Sequence, residues 1–377
     1  FRIDTIRQFV RELVNTCQDT GMNIPNRTPP IGYANVQSTT EADLKKAWLD
    51  AGNAAKSQPQ LILCVLPNTG RDLYAEIKRI SDTVIGVATQ CVQGKHTFKP
   101  NKQYLANVCL KINVKLGGMN SYLTDLPFVV DRPTIIMGAD ITHPPAGDKV
   151  RPSIAALCAS MDYRASRYAA SIRIQASRTE SIVDLAHMVK DLLKTFYQTC
   201  GHKPERILFY RDGISEGQFS KVLEDEMRYI IAACRALDVN YRPTITFVVV
   251  QKRHHTRFFP INRQDADRTG NCYPGTVVES DLQSQAGLQG TSRPAHYHVL
   301  HDENDFTPDM LQTLSYNLCY LYARCTRSVS LVPPVYYAHI VCSRARFHAK
   351  GEHWSDTESS EGVGESAYAP VKQELQN

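Results

Sequence analysis

The sequence predicts an α/β fold made of two successive units, and three observations support this prediction. Residues 1–120 alternate amphipathic helices with a short apolar strand. Further along, three strand candidates precede a helix and a fourth strand; the four candidates are 133–139, 153–160, 168–174 and 206–211. The chain has 377 residues, enough for two or three domains with substantial cores. We therefore expect two domains, residues 1–125 and residues 126–377.

The first unit opens with a helix whose apolar residues between Val10 and Cys17 share one face. Thr40 and Asp43 resemble a capping box for a second helix. The remaining elements are a strand at 61–66 and helices at about 72–81 and 102–116. A strand, a loop and a helix in this order direct backbone N–H groups towards an anion, so this unit is suited to anion binding.

The second unit begins after a linker-like stretch at residues 121–131. Its later elements are expected to be helices at about 179–198, 216–236 and 308–324, and a strand at 243–250. Three strands, a helix and a strand that ends on an acidic residue form the layout of a ribonuclease-H-like fold.

Composition excludes some functional classes. The net charge of +5 is compatible with a nucleic-acid partner but does not require one. The 11 cysteines contain no Cys-x-x-Cys pair, which favours reduced thiols in an intracellular protein over disulfides or a zinc site. No apolar run reaches membrane-spanning length, so we expect no membrane partner. The chain starts at Phe1 inside an amphipathic pattern, so we expect it to be a piece of a longer protein.

Two apolar runs each end on an aspartate, at Asp140 and at Asp212. Carboxylates at a sheet rim can hold two Mg²⁺ ions about 4 Å apart, the arrangement that hydrolyses phosphodiesters. Asp140 would bridge both ions, Asp212 would ligate one, and His339 would complete the shell or carry a proton. Glu180, near a helix start, would position the attacking water.

A structural interpretation of the same acids stays open from the pattern alone. An aspartate at a strand end often caps a turn, and Asp212-Gly213 is a common turn pair. Glu180 in a first helical turn would simply complement the helix dipole.

Basic residues form a second candidate site in the first unit. Tyr74 and Lys78 are four residues apart on one helix, and Lys111 and Lys115 repeat this spacing on another. Together with Gln90 they could hold a terminal phosphate, although a lysine pair at this spacing is more often a solvated helix face. The basic run from Lys252 to Arg257 has the same two interpretations.

Ten short blocks then establish a resemblance that covers nearly the whole chain in order. In the first unit they are Leu73–Arg79, Ala88–Gln93 and Leu110–Gly118. In the second they are Gly138–Pro144, Arg211–Phe219, Val250–Arg257, Gln289–Pro294, His296–His298, Cys325–Ser330 and Tyr336–His339. The chain resembles the MID–Piwi half of a eukaryotic Argonaute. The resemblance implies a Rossmann-like MID domain followed by a ribonuclease-H-like Piwi domain.

The resemblance implies slicing of RNA. The family's catalytic tetrad falls on Asp140, Glu180, Asp212 and His339, with two Mg²⁺ ions (Mn²⁺ as a substitute) held by Asp140, Asp212 and His339. The implied partners are a 5′-phosphorylated guide RNA, a complementary target RNA and silencing-complex proteins. The implied location is the cytoplasm, with the nucleus as a second compartment.

The resemblance also implies two sets of guide contacts. Tyr74 would stack on the first base, and the residues that would bind the 5′-phosphate are Lys78, Gln90, Lys111, Lys115 and Arg344. The residues that would contact the guide backbone are Lys252, Arg253, His255, Arg257, Arg293, Arg324, Ser330 and Tyr336. Phe347 departs from the family's usual tyrosine, and the stretch between Val278 and Gly287 is shorter than the family pattern.

Three functions therefore compete at this point. The first is a guide-directed endoribonuclease that leaves 3′-hydroxyl and 5′-phosphate ends, which the four tetrad residue types favour. The second is a guide-binding scaffold that recruits silencing partners without cutting. The third is a ribonuclease-H-like nuclease without a guide, which would show no preference for 5′-phosphorylated RNA.

Overall fold

A computed structural model describes residues 2–35, 37–67, 69–148, 151–278, 283–284 and 294–348. The described residues form two compact units. The first contains residues 2–120 with 347–348, and the second contains residues 121–346.

The first unit is a small α/β sandwich. Its elements are α1 (Ile3–Asp19), α2 (Thr40–Ala55), β1 (Leu61–Leu66), α3 (Arg71–Ile80), β2 (Ala88–Gln93) and α4 (Lys102–Lys115). The strands β1 and β2 pair in parallel. Alternate residues of β1 pack against α1 and α4 on one face, and against α2 and α3 on the other. Because both faces are covered, β1 is apolar at every position.

The predicted start of α2 is one residue too late. The side chain of Thr39, rather than that of Thr40, accepts the hydrogen bond from the Ala42 amide and caps the helix. Thr39 has extended backbone angles, as an N-cap requires, and Thr40 is already helical.

The second unit is built on one seven-stranded sheet with helices on both faces. Its first elements are β3 (Thr134–Thr142), β4 (Ser153–Ser160), β5 (Tyr168–Gln175), α5 (Leu185–Cys200), β6 (Arg206–Asp212) and α6 (Phe219–Leu237). The others are β7 (Thr244–Gln251), β8 (Gln283–Ser284), β9 (His296–Asp302), α7 (Pro308–Leu318) and α8 (Pro333–Ala345). The strand order is β5-β4-β3-β6-β7-β9-β8, and β3, β6 and β7 run parallel.

The side-chain alternation of β3 explains why that strand is buried on both faces. Ile135 and Met137 pack with α5 and α6. Ile136 packs on the opposite face with α7 and α8. The α/β class, with a mixed central sheet in the second unit, agrees with the sequence prediction.

Several sequence predictions in the second unit are wrong in detail. The strand β3 continues two residues beyond Asp140 instead of ending on it. Residues 121–131 are not a plain linker, because Leu126 and Val129 are buried in the core. The predicted helix at 308–324 ends early, since α7 stops at Leu318 and only a short 3₁₀ turn follows.

The predicted helix at 179–198 starts later than expected, at Leu185. The backbone just before Leu185 forms hydrogen bonds with side chains and not the backbone hydrogen bonds of a helix. The Glu180 carbonyl accepts from Arg211, and the Ile182 amide donates to Glu226. Glu180 therefore lies on a loop and not in a first helical turn.

Candidate metal centre and basic pocket

The candidate metal centre lies near the carboxyl ends of two neighbouring parallel strands, β3 and β6. Ala139 of β3 is paired with Arg211 of β6, so the next residues, Asp140 and Asp212, stand side by side. Each has its side chain on the face that α8 covers, because Ile136 and Tyr210, at the same alternation, pack there. Both carboxylates are buried.

His339 completes a three-residue cluster with these aspartates. Its Nδ1 lies 2.9 Å from Oδ2 of Asp140, and it is exposed to solvent. One ligand atom from each of Asp140, Asp212 and His339 lies within 4.8 Å of the others. Two carboxylates and one imidazole form a donor set that suits a hard divalent cation, so these residues fit a magnesium-type ion.

Gly138 allows α8 to pack closely against β3, which places His339 beside Asp140. A Cβ atom on Gly138 would lie 2.2 Å from the carbonyl carbon of Pro334 and 2.4 Å from the amide nitrogen of Val335. Only a residue without a side chain permits this backbone approach. The helix is further fixed by the Cys342 thiol, which contacts the carbonyl oxygens of Asp140 and Ile154.

Lys252 also belongs to this centre. Its Nζ lies 2.5 Å from Oδ2 of Asp212. Burial and the neighbouring charge of Asp140 raise the pKa of Asp212, and the Lys252 ammonium opposes that rise. The sequence predicted Lys252 as a contact to the guide backbone; the structure places it on a candidate metal ligand.

Glu180 is not part of the three-residue cluster formed by the described residues. Its Oε2 lies 3.5 Å from Nε2 of His143, whose Nδ1 bonds the Ser153 hydroxyl at 2.8 Å. The structure therefore brings three of the four predicted catalytic residues together and holds the fourth beside His143.

Arg211 and Glu226 form a buried ion pair behind the centre that sequence reasoning missed. Arg211 also donates to the Asp212 carbonyl at 2.5 Å and to the Glu180 carbonyl at 2.6 Å. The pair thus connects the end of β6, the Glu180 loop and α6. The sequence does contain a signal for this pair: Glu226 is a charged residue on the face of α6 that is otherwise apolar.

Two of the basic residues predicted in the first unit, Lys78 and Lys115, converge on one carbonyl group. Nζ of Lys78 lies 2.7 Å from the Thr89 carbonyl, and Nζ of Lys115 lies 2.9 Å from the same oxygen. Lys115 also donates to Oε1 of Gln90 at 2.6 Å. The side chain of Lys78 is almost completely buried. Two lysine ammonium groups on one oxygen create a local positive potential that suits an anion.

Tyr74 lies beside this basic pocket. Nζ of Lys78 is 5.5 Å from the centre of the Tyr74 ring, and Phe347 meets that ring edge-on. Lys111 is half-buried on α4, one turn before Lys115. Arg344 belongs to α8 in the second unit.

The predicted guide-backbone contacts fall at several places in the second unit. Arg253, His255 and Arg257 are exposed just beyond β7, and Arg324 is exposed after α7. Tyr336 packs against Tyr322, and Ser330 is half-buried. Arg293 lies outside the described residues, as does the shortened stretch between Val278 and Gly287 apart from Gln283–Ser284.

Comparison with known proteins gives the class to which this fold and site belong. The sequence model of the Piwi domain family matches residues 61–350 of the chain. The chain therefore belongs to the Piwi-domain family, whose fold is ribonuclease-H-like.

The similar proteins belong to the Argonaute branch of the Piwi-domain family. The chain is 48% identical to protein argonaute 1A of Oryza sativa subsp. japonica, over 96% of this chain and 36% of that protein. A crystal structure of Kluyveromyces polysporus Argonaute with a guide RNA is 29% identical, covers 91% of this chain and 42% of its own, and has a TM-score of 0.78. The N. crassa QDE-2 AGO MID-PIWI domains are 26% identical, cover 98% of this chain and 91% of theirs, and have a TM-score of 0.71.

The resemblance to the MID–Piwi part of Argonaute proteins is thereby confirmed. The chain spans a little over a third of the length of the curated relatives it matches. None of the helices in the described part of the chain combines the length and apolar content that a membrane crossing requires.

Proposed function

We propose that this chain is the guide-binding and target-cutting part of a small-RNA silencing protein. The observation that carries the proposal is the cluster of Asp140 and Asp212, near the ends of adjacent strands, with His339 of α8. Such a cluster, on a ribonuclease-H-like sheet, suits phosphodiester hydrolysis assisted by metal ions. The silencing partners and the cytoplasmic location expected from the sequence belong to the same proposal.

In the proposed reaction, Asp140 and Asp212 would hold two Mg²⁺ ions, with Mn²⁺ as a substitute, and His339 would complete the shell or carry a proton away. When bound, the ions supply an activated water and stabilise the leaving oxygen. Hydrolysis of the target strand then leaves a 3′-hydroxyl and a 5′-phosphate. Glu180 would position the attacking water after leaving its contact with His143.

The basic pocket supplies the reason for cutting at one chosen phosphate. Lys78, Lys115 and Gln90 would hold the guide's 5′-phosphate, with Lys111 and Arg344 completing the contacts and Tyr74 against the first base. Anchoring one end of the guide fixes its register, and base pairing then selects the target. The solved Kluyveromyces relative with a guide RNA supports an RNA ligand of this kind.

The remaining residues predicted to contact the guide would hold its backbone. They are Arg253, His255, Arg257, Arg293, Arg324, Ser330 and Tyr336, together with Lys252 once it leaves Asp212. Such contacts neutralise phosphates without reading sequence.

The test is cleavage of a labelled target RNA by the purified protein with a complementary guide and Mg²⁺, beside Asp140→Ala. We expect one cut opposite the guide's centre that Asp140→Ala abolishes. Cleavage of target without a guide would instead support a general nuclease.

One observation favours a second function, a scaffold that binds guide RNA and recruits partners without cutting. The Glu180 carboxylate contacts His143 instead of the metal-ligand cluster. Guide binding at the basic pocket without an Asp140-dependent cut would support this scaffold function.

A further inference from the structure

The ammonium of Lys252 lies among the candidate metal ligands, and the strand register explains why. Asp212 of β6 is paired with Val250 of β7, so Lys252, two residues later, is on the same face of the sheet. Its Nζ reaches Oδ2 of Asp212 at 2.5 Å. The side chain of Asp212 is 3% exposed and that of Lys252 is 30% exposed.

This ion pair has two partners of unequal mobility. Asp212 is fixed at the end of a central strand, whereas Lys252 follows β7 on a chain segment without regular structure. Lysine has a long stem with four rotatable bonds, so its ammonium can leave one anion for another at small cost. A divalent cation binding Asp212 must displace this ammonium or tolerate a like charge a few ångströms away.

We propose that Lys252 competes with the divalent cation for Asp212 and transfers to an RNA phosphate when RNA binds. This inference rests on the proposed metal centre and adds a regulatory role to it. Metal binding is weakened by Lys252 in the free protein. RNA relieves that competition by offering the ammonium a second anion, so that RNA and metal strengthen each other's binding.

The first experiment measures Mn²⁺ binding to the purified protein without RNA, by the loss of the free-ion electron paramagnetic resonance signal, at about pH 8 where carboxyl groups are normally ionised. We expect Lys252→Met to bind Mn²⁺ roughly five- to tenfold more tightly than the unsubstituted protein, because one nearby positive charge is removed. Lys252→Arg keeps the charge and should stay within about twofold. Lys221→Met, at an exposed position on α6, removes the same charge outside the three-residue cluster and should change nothing.

Each outcome decides between the alternatives. Equal or weaker Mn²⁺ binding by Lys252→Met, or an equal gain in Lys221→Met, would overturn the competition. Lys252→Gln repeats the test with a polar side chain, should Lys252→Met fail to fold. If Mn²⁺ binding by the unsubstituted protein is undetectable or unaffected by Asp140→Ala, the metal centre itself is wrong. Failure of the proposed function is thus separate from failure of this inference.

The second experiment repeats the titration with a guide–target RNA duplex bound. The duplex should tighten Mn²⁺ binding by a larger factor in the unsubstituted protein than in Lys252→Met. The same factor in both proteins would show that Lys252 does not transfer to RNA.

Discussion

The guanidinium Nε of Arg211 lies 3.0 and 3.1 Å from the two carboxylate oxygens of Glu226, and neither side chain reaches solvent. Burial raises the pKa of Glu226, and the charge of Arg211 opposes that rise. The remaining Arg211 nitrogens bind the carbonyl oxygens of Asp212 and Glu180. One guanidinium therefore fixes the backbone at a candidate metal ligand and at the loop that carries Glu180.

The first prediction concerns this buried pair. Glu226→Gln should lower the free energy of unfolding by about 3–5 kcal/mol, because Arg211 would be left buried without a counter-charge. Urea unfolding checks this. Asp191→Asn is the matched control, since its carboxylate is mostly exposed, its partner Arg173 also pairs with Asp184, and such surface pairs contribute about 0–1 kcal/mol. Equal effects of the two substitutions would contradict the prediction.

The second prediction concerns the contact between Gly138 and α8. Gly138→Ala places a Cβ against the backbone of Pro334 and Val335, which cannot rotate away. We expect a displaced α8, a loss of about 1–3 kcal/mol in unfolding free energy from overpacking, and weaker Mn²⁺ binding as His339 moves. Calorimetry and Mn²⁺ titration measure the two effects. Gly217→Ala, where an added Cβ meets nothing within 4 Å, should leave both unchanged.

Some of this centre could be predicted from the sequence. Apolar runs ending near Asp140 and Asp212 placed both acids at one sheet edge, because carboxyl ends of neighbouring parallel strands coincide. The lysine spacing likewise placed Lys111 and Lys115 on one helix. These predictions depend on short stretches of sequence, whose strand or helix pattern is retained in the folded protein.

The remaining features depend on tertiary contacts that no local pattern encodes. The start of α5 at Leu185 follows from Arg211 and Glu226 binding the preceding backbone, across a long stretch of chain. The contact of Lys252 with Asp212 depends on the β6–β7 register. Sequence spacing could not distinguish an RNA contact from an acid contact for that lysine.

The third prediction concerns pH and the histidine cluster of His254, His296 and His298. Burial, then His298 and His254, lower the pKa of His296 to about 4, and Glu216 partly opposes them. The unfolded chain therefore binds a proton at higher pH than the folded protein does. The stability contribution is present above the ordinary pKa of 6.5 and is lost as pH falls towards 4.

His296→Gln should flatten the dependence of stability on pH between those values, as measured by urea unfolding at a series of pH values. His202→Gln, at an exposed position, should retain the slope of the unsubstituted protein. A slope that His296→Gln leaves intact would assign the effect to other groups, such as His298.

The fourth prediction concerns the basic pocket. Lys78→Ala with Lys111→Ala should weaken binding of a 5′-phosphorylated guide RNA, because the pocket loses two cations. The slope of log affinity against log salt should fall by roughly 0.7 for each phosphate charge that the protein no longer neutralises. Filter binding at several salt concentrations measures both quantities, with 5′-hydroxyl RNA as the matched ligand. Lys102→Ala, at an exposed position at the start of α4, controls for net charge and should reduce neither the affinity nor the preference for the 5′-phosphate.

Unchanged affinity of the double variant for 5′-phosphorylated RNA would rule out this pocket as the guide-end site, whatever the outcome at Asp140.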